Sequence, residues 1–219
     1  MSERKIDDND YNQLRDKILE VLGNGFGNRG YGQVIKSQRA VEGALITSNQ
    51  WNEISEDLSN TVVHQTGSFP SLAVFDNEKL ITLSDYNQLV QLADNLLTNR
   101  FQVGAGRTIV SIEQSRSSTQ EWSNRAEAEL TVTFNSSNEA RYFFNSGGKI
   151  RFVSSRSGGT NSLQNSAWSN LLNAVGNLDF ESQSIPEKVG YYGLTNSYQI
   201  LYQRNLSTPY SSNYYRVVF

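Results

Sequence analysis

The chain has 219 residues, no cysteine, one histidine and a formal net charge of -3. Its length is enough to bury a core unaided, and the missing thiols exclude a disulfide framework and any thiolate metal site. Charged residues make up only 19% against 37% hydrophobic, with 11 Tyr, 10 Phe and 3 Trp, so the polar surface is built largely from Ser, Asn and Gln. Such a surface repels its neighbours weakly and permits packing against copies or partners. The opening Met1 to Asp10 lacks the apolar run of a signal peptide, and nothing downstream approaches the ~18 apolar residues of a membrane span. The expectation is synthesis in the cytosol with no membrane partner.

In chain order, three amphipathic helices come first. Tyr11, Leu14, Ile18 and Leu22 share one helical face, with Asp10 as expected N-cap, Gln13 at the capping-box position and Gly23 as the stop. Trp51, Ile54, Leu58 and Val62 form a second stripe, opened by Thr47 and Gln50 at the same spacing. Tyr86, Leu89, Ala93 and Leu96 form a third, with Ser84 or Asp85 as expected cap. The string Asp-Tyr-Asn-Gln-Leu at Asp10–Leu14 returns at Asp85–Leu89, which fits either an internal duplication or two good helix starts using the same residues.

Beyond Val103 the period changes. Arg125 to Phe134 alternates apolar and polar residues, the pattern of a strand with one wet face. Thr108 to Ile112, Lys149 to Val153, Tyr198 to Tyr202 and Tyr214 to Phe219 have similar β-branched or aromatic character, predicting an antiparallel sheet of about four to six strands. Tyr142 to Phe144 and Ile150 to Phe152 are predicted to meet as a hairpin across Ser146-Gly147-Gly148, with Phe144 or Phe152 buried. A helix carrying Leu163, Ala167, Leu171, Leu172 and Val175 stops at Gly176 and can cover the sheet. The predicted fold class is α+β. A helical N-terminal subdomain with a Gly-rich loop spans 1–102, and a β-rich subdomain with an antiparallel sheet covered by a helix spans 103–219 and ends in a C-terminal strand.

Chemistry-bearing motifs are few. Gly25 to Gly30 matches the spacing of a dinucleotide-binding loop, but a helix precedes it where that fingerprint needs a strand. The glycines instead let a loop pass close to another backbone, with Phe26 and Tyr31 projecting as protein-contact candidates. His64, at a helix end, has no HExxH motif around it and no Cys to share a zinc ion with. Glu127 and Glu129 lie about 7 Å apart on one strand face, a spacing usable for glycoside hydrolysis, but that face is the solvated one. Arg141, Lys149, Arg151 and Arg156 form a basic cluster read as hairpin solubility or a subunit contact, not as a nucleic-acid site. No catalytic residue, cofactor or metal is assigned. The C-terminal run, with Tyr214, Tyr215, Val217 and Phe219 as contact candidates, is predicted to be a strand in an interface, on its own sheet's edge or on a neighbouring subunit.

The stretch Ala140-Arg141-Tyr142-Phe143-Phe144-Asn145-Ser146-Gly147-Gly148-Lys149-Ile150-Arg151-Phe152, running on through Ser154 to Gly159, resembles a segment of virion structural proteins of tailed bacteriophages, particularly contractile-tailed phages of aquatic bacteria. Asp10 to Lys17 and Arg29-Gly30-Tyr31-Gly32-Gln33-Val34 look similar as well, and the resemblance covers Asp10 to Phe180. It implies a non-enzymatic protein of the virion, assembled in the host cytoplasm. The station it implies is a tail, baseplate or neck adaptor that binds other virion structural proteins as a homo-oligomer in a symmetric assembly. The alternative is a receptor-binding or fibre module recognising host-surface glycans.

Overall fold

The computed structural model describes residues 5–76, 81–104, 114–119, 122, 125–181 and 197–219. The fold is α+β, with helices first and small antiparallel sheets after. It comprises two compact units, Met1–Ser146 and Gly147–Phe219.

The first unit is built on α1 (Asp8–Leu22), α2 (Ser48–Thr66) and α3 (Leu83–Thr98), each packed on the other two. All twelve stripe residues predicted for these helices are buried and belong to one core. The caps differ in two of the three. Thr47 and Gln50 form the expected capping box of α2. In α1 the N-cap is Asp7 and Asp10 is its N3 partner; in α3 the N-cap is Thr82 and Asp85 is the N3 partner. In both helices the N3 aspartate accepts the N-cap N–H, the part Glu or Gln plays in the usual capping box, so the true cap lies three residues upstream of the acid. The repeated Asp-Tyr-Asn-Gln-Leu therefore occupies the same positions in both helices, acid at N3 and tyrosine one residue on.

Both tyrosines turn inward onto Trp51. Tyr11 meets its indole edge-on at 5.1 Å and 86°, and Tyr86 at 6.3 Å and 82°. Phe75, from the α2–α3 connection, closes a third side at 6.2 Å. The phenols still find acceptors: Tyr11 donates to Gln38 O at 3.0 Å and Tyr86 to Asp10 O at 3.3 Å. Burial, reinforced by the charge of Glu53, pushes the Tyr11 phenol up to about 12, so it remains a donor.

The connections are extended, and side chains hold them. Asn12 pairs with Ala40 in both directions, Nδ2 to O at 3.1 Å and N to Oδ1 at 2.9 Å. Asn52 does the same with Phe75, at 2.7 and 3.0 Å. Buried Asp57 accepts the Lys36 N–H on both oxygens, at 3.0 and 3.1 Å, and the Ser37 N–H at 2.9 Å. These groups do for lone extended chain what a neighbouring strand does in a sheet, satisfying backbone donors and acceptors that burial would otherwise orphan.

The hairpin expected over Tyr142 to Phe152 is not what the chain forms. Among the described residues no strand pairs with Arg125 to Phe134, which is largely exposed with only Leu130 and Phe134 half-buried. Strand propensity acts through a neighbouring strand. Ser137–Asn145 is a helix, α4, because Ser136 caps it by accepting from Glu139 N at 3.1 Å. Its Phe143 and Phe144 stack with Phe134 at 5.5 and 6.1 Å. Gly147 takes φ +89°, a left-handed conformation that follows a helix end, so the Gly-Gly pair does not turn a hairpin. Phe144 and Phe152 are half-buried, not buried. The units divide after Ser146, well beyond the change of sequence period near Val103, because α4 belongs with the first unit.

In the second unit β1 (Lys149–Val153) pairs antiparallel with β2 (Asn177–Glu181), and β3 (Ile200–Asn205) with β4 (Tyr214–Val218). Among the described residues two two-stranded sheets thus stand where one larger sheet was expected; the Thr108 to Ile112 strand lies outside them. Helix α5 (Leu163–Val175) ends at Gly176 as predicted, and its Leu171 and Val175 pack with Leu178, Phe180, Leu206 and Val217. Arg204 caps its C-terminal end, donating to Ala174 O at 3.0 Å. Across the β1–β2 register Arg151 faces Asp179 and grips it at 2.6 and 2.7 Å, with Lys149 at 3.3 Å.

Two outcomes are expected. Trp51→Ala removes the hub of the first core and should cost about 3–5 kcal/mol, lowering Tm by roughly 10 °C in calorimetry. Arg151 and its neighbours hold the Asp179 carboxyl below the usual carboxylate range. Its stabilisation is therefore full above the unfolded value near ~4 and is lost as pH falls through the lower folded one. Asp179→Asn should lower stability at neutral pH by about 1 kcal/mol or less and flatten its acid dependence in urea titrations between pH 5 and 2.

Candidate functional site

The glycine-rich loop acts first as the C-terminal cap of α1. The last carbonyls of a helix have no partner within it. Here Tyr31 N donates to Val21 O at 2.7 Å, Gln33 N to Leu22 O at 2.9 Å, Gly32 N to Gly23 O at 2.8 Å and Gly30 N to Asn24 O at 2.8 Å. The approach is so close that a Cβ on Gly30 would lie 2.0 Å from Gly23 O. This is the close backbone passage expected of the glycines.

Tyr31 and Phe26 part company on this loop. Tyr31 is 4% exposed and belongs to the core, its hydroxyl donating to Arg100 O at 2.6 Å and accepting from Gln65 Nε2 at 2.9 Å. Its expected role as a partner anchor is corrected: the receiving surface is its own chain. Phe26 is 82% exposed and stays available. On the other side the loop receives α4. Tyr142 donates to Asn24 Oδ1 at 3.2 Å, and Asn145 Nδ2 donates to Asn28 O and Gly30 O at 2.8 and 2.9 Å. The Tyr142 ring lies over Gly32, where φ is +69° and a Cβ would come within 2.2 Å of ring carbon. His64, near the end of α2, donates from Nε2 to Ser146 O at 2.8 Å and stacks at 5.0 Å on Tyr31, an internal brace for the same region.

More apolar side chains point out from the tied-down connections. Val34 is 94% and Leu45 92% exposed, and Val41, Phe69 and Val74 are exposed as well. The Asp57, Asn12 and Asn52 bonds hold Lys36, Ser37, Ala40 and Phe75, so Val41 and Val74 adjoin a fixed residue and Val34 lies two residues from one, while Leu45 and Phe69 stand farther along the connections. Sequence reasoning missed them because they break helical periodicity in segments with no strand partner. The available signal was isolated large apolar residues inside polar connections.

At the C-terminal hairpin the four candidates also divide. Val217 is buried in its own unit's core and Tyr215 is half-buried, its hydroxyl 2.9 Å from Ser154 Oγ. Tyr214 and Phe219 are exposed. Phe219 is held by reciprocal backbone bonds with Gln199, at 2.7 and 2.8 Å, so the final strand lies at the edge of its own sheet.

The other sequence candidates find plainer roles. Glu127 and Glu129 are exposed, and Glu127 pairs with Arg125. Lys149 and Arg151 are neutralised by Asp179, and Arg141 donates to Asn138 Oδ1 at 3.0 Å. Arg156 is fixed by Asn165 O at 3.4 Å, Ser169 Oγ at 3.3 Å and Gly158 O at 3.1 Å, beside a polar cavity of about 350 Å³ that Asn161 and Asn170 also line. Among the described residues no group of three or more His, Asp or Glu is placed to hold a metal, and no helix is long and apolar enough to cross a membrane.

Comparison with known proteins finds no matching family model, no matching curated protein and no matching solved structure.

Gly32→Ala should undock α4, since the new methyl occupies the Tyr142 ring position in strained backbone. The cost should be roughly 1–3 kcal/mol. Amide exchange over 140–146 should accelerate strongly while exchange in the middle of α2 stays slow; unchanged exchange in α4 would contradict the packing described.

Proposed function

We propose that this chain is a non-enzymatic structural component of a tailed-phage virion, an adaptor in the tail, baseplate or neck that binds neighbouring virion proteins. The observation that carries the reading is the set of large apolar side chains, Phe26, Val34, Val41 and Val74, exposed on or within two residues of backbone that the chain's own side chains bond, with Leu45 and Phe69 exposed as well. Pre-ordered apolar contacts cost little further entropy on docking, which is what an assembly protein needs. The low charge of the sequence supports the same reading, because neighbouring copies can approach without strong repulsion. Repetition around a symmetric ring then multiplies modest contacts through effective concentration. Assembly would take place in the host cytoplasm, with no membrane or nucleic-acid partner.

A receptor-binding or fibre module is the second reading, favoured by the polar cavity beside Arg156, whose amides and hydroxyls suit sugar hydroxyls. Among the described residues no aromatic ring lines that cavity to stack on a sugar face, so the adaptor reading stands ahead of it.

Imaging the intact particle at side-chain detail tests the proposal. The expected result is the chain at fixed stoichiometry in the tail, baseplate or neck, with Phe26, Val34 and Leu45 against protein neighbours. Its absence from the particle would sink the adaptor reading, and saturable binding on a glycan array would move the function to the second one.

A further inference from the structure

We infer that the outer edge of β4 is a strand-capture site, which takes an extended segment of a neighbouring protein carrying a carboxylate opposite Arg216. The inference rests on the reading above that this chain binds neighbouring proteins, and adds the mode and the chemistry.

The backbone sets the first requirement. Asn213 accepts from Leu206 N–H at 2.9 Å, and Phe219 exchanges bonds with Gln199, so the main chain at both ends of β4 faces β3. Backbone direction alternates along an antiparallel strand, which turns the N–H and C=O of Tyr214, Arg216 and Val218 the other way. No other strand joins this sheet among the described residues. A row of unpaired donors and acceptors is satisfied along its whole length by one thing, another extended chain.

The side chains set the second. Val217 and Tyr215 pack inward, so Tyr214, Arg216 and Val218 lie on the opposite face, where Tyr214 is 41% and Val218 38% exposed. The Arg216 guanidinium sits between two rings, 5.1 Å from the Tyr214 centroid and 5.6 Å from that of Tyr198. No carboxylate pairs with it among the described residues, and residues 197–219 contain Arg204 and Arg216 but no Asp or Glu. The cation is thus placed by aromatic contacts, without a counter-charge among the described residues.

A second copy of β4 is a poor occupant. Outward-facing residues pair only with outward-facing residues, so the fully overlapped antiparallel register sets Arg216 directly opposite Arg216, a like-charge pair that destabilises. Shifting by two residues removes that clash but loses part of the ladder. A foreign strand with an acidic residue opposite Arg216 and apolar residues two positions to either side meets every requirement at once. The acid neutralises the cation, the apolar residues lie beside Tyr214 and Val218, and the intervening positions extend the face that holds Tyr215 and Val217.

The test uses the full chain and capped seven-residue peptides, Ser-Val-Thr-Glu-Thr-Val-Ser and the same peptide with Lys for Glu, followed by backbone amide NMR. The Glu peptide should shift the amides of Tyr214, Arg216 and Val218 and slow their exchange, and should bind roughly tenfold more tightly than the Lys peptide. Arg216→Glu should reverse that order, and Arg216→Gln should abolish the preference. Equal binding of the two peptides, or no effect on those three amides, would overturn the proposal. So would concentration-dependent dimerisation that protects the same amides, which would give the edge to a second copy. Particle imaging that failed to find the chain would remove the virion reading while leaving a positive peptide result intact, so the two failures are distinguishable.

Discussion

Trp51 is where the three helices of the first unit meet, and most of that unit's architecture follows from how it is enclosed. An indole next to the start of a helix cannot be buried by one neighbouring helix alone; here tyrosines from two helices and a phenylalanine from a connection close around it. The tyrosines come from matching places in α1 and α3, one residue after the N3 aspartate of each capping box. The polar device that starts each helix therefore also fixes where its first large apolar side chain enters the core. A repeat of five residues is accounted for by this shared task, with no need for a duplicated ancestor.

Once the helices are set, the long connections have a backbone problem. They lie partly buried on the helices yet have no strand beside them. Asn12, Asn52 and Asp57 solve it from the helix side, each meeting the main chain of a passing segment. This gives the amide-rich composition a structural meaning beyond solubility. A side-chain amide carries both a donor and an acceptor, so one residue can replace a strand's worth of pairing at one point. The consequence for function is presentation: chain pinned at one residue exposes its neighbours' side chains, as at Val41 beside Ala40 and Val74 beside Phe75.

Helical periodicity was legible because burial on one face repeats at a fixed spacing: the three stripes of the first unit hold, whereas α5 buries Leu171 and Val175 and leaves Leu163, in its first turn, exposed. The caps were legible in kind but not in place, since Asp10 and Asp85 look like N-caps until an acceptor is sought three residues upstream. The failures have one source. Residues 125–134 and Tyr142-Phe143-Phe144 have strand-like character, yet a strand forms only beside a partner strand, and among the described residues neither has one. Ser136 and Glu139 stood at capping-box spacing in front of the aromatic run, and that signal decided for helix. Strand β2 was missed for the converse reason: Leu178 and Phe180 alternate over too few residues to stand out, and their pairing with β1 depends on a register no local pattern contains. The contact candidates split the same way, because Tyr31 and Tyr214 are both aromatic residues in polar surroundings and only tertiary packing decides which one faces inward.

The two units solve the problem of unpaired backbone in opposite ways. In the first, side chains complete the hydrogen bonding of lone extended chain internally, leaving apolar side chains as the exposed feature. In the second, the β3–β4 hairpin completes one side of β4, and no strand among the described residues takes up the donors and acceptors of the other side. An apolar surface accepts many shapes, whereas an open strand edge dictates the conformation and direction of what joins it. Arg216 sharpens this selectivity: a charge held between two tyrosines on an edge strand discourages self-pairing, which is how edges are commonly protected from aggregation. The same charge is satisfied by a partner of opposite sign, so the feature that keeps free chains apart also defines the neighbour that can join them.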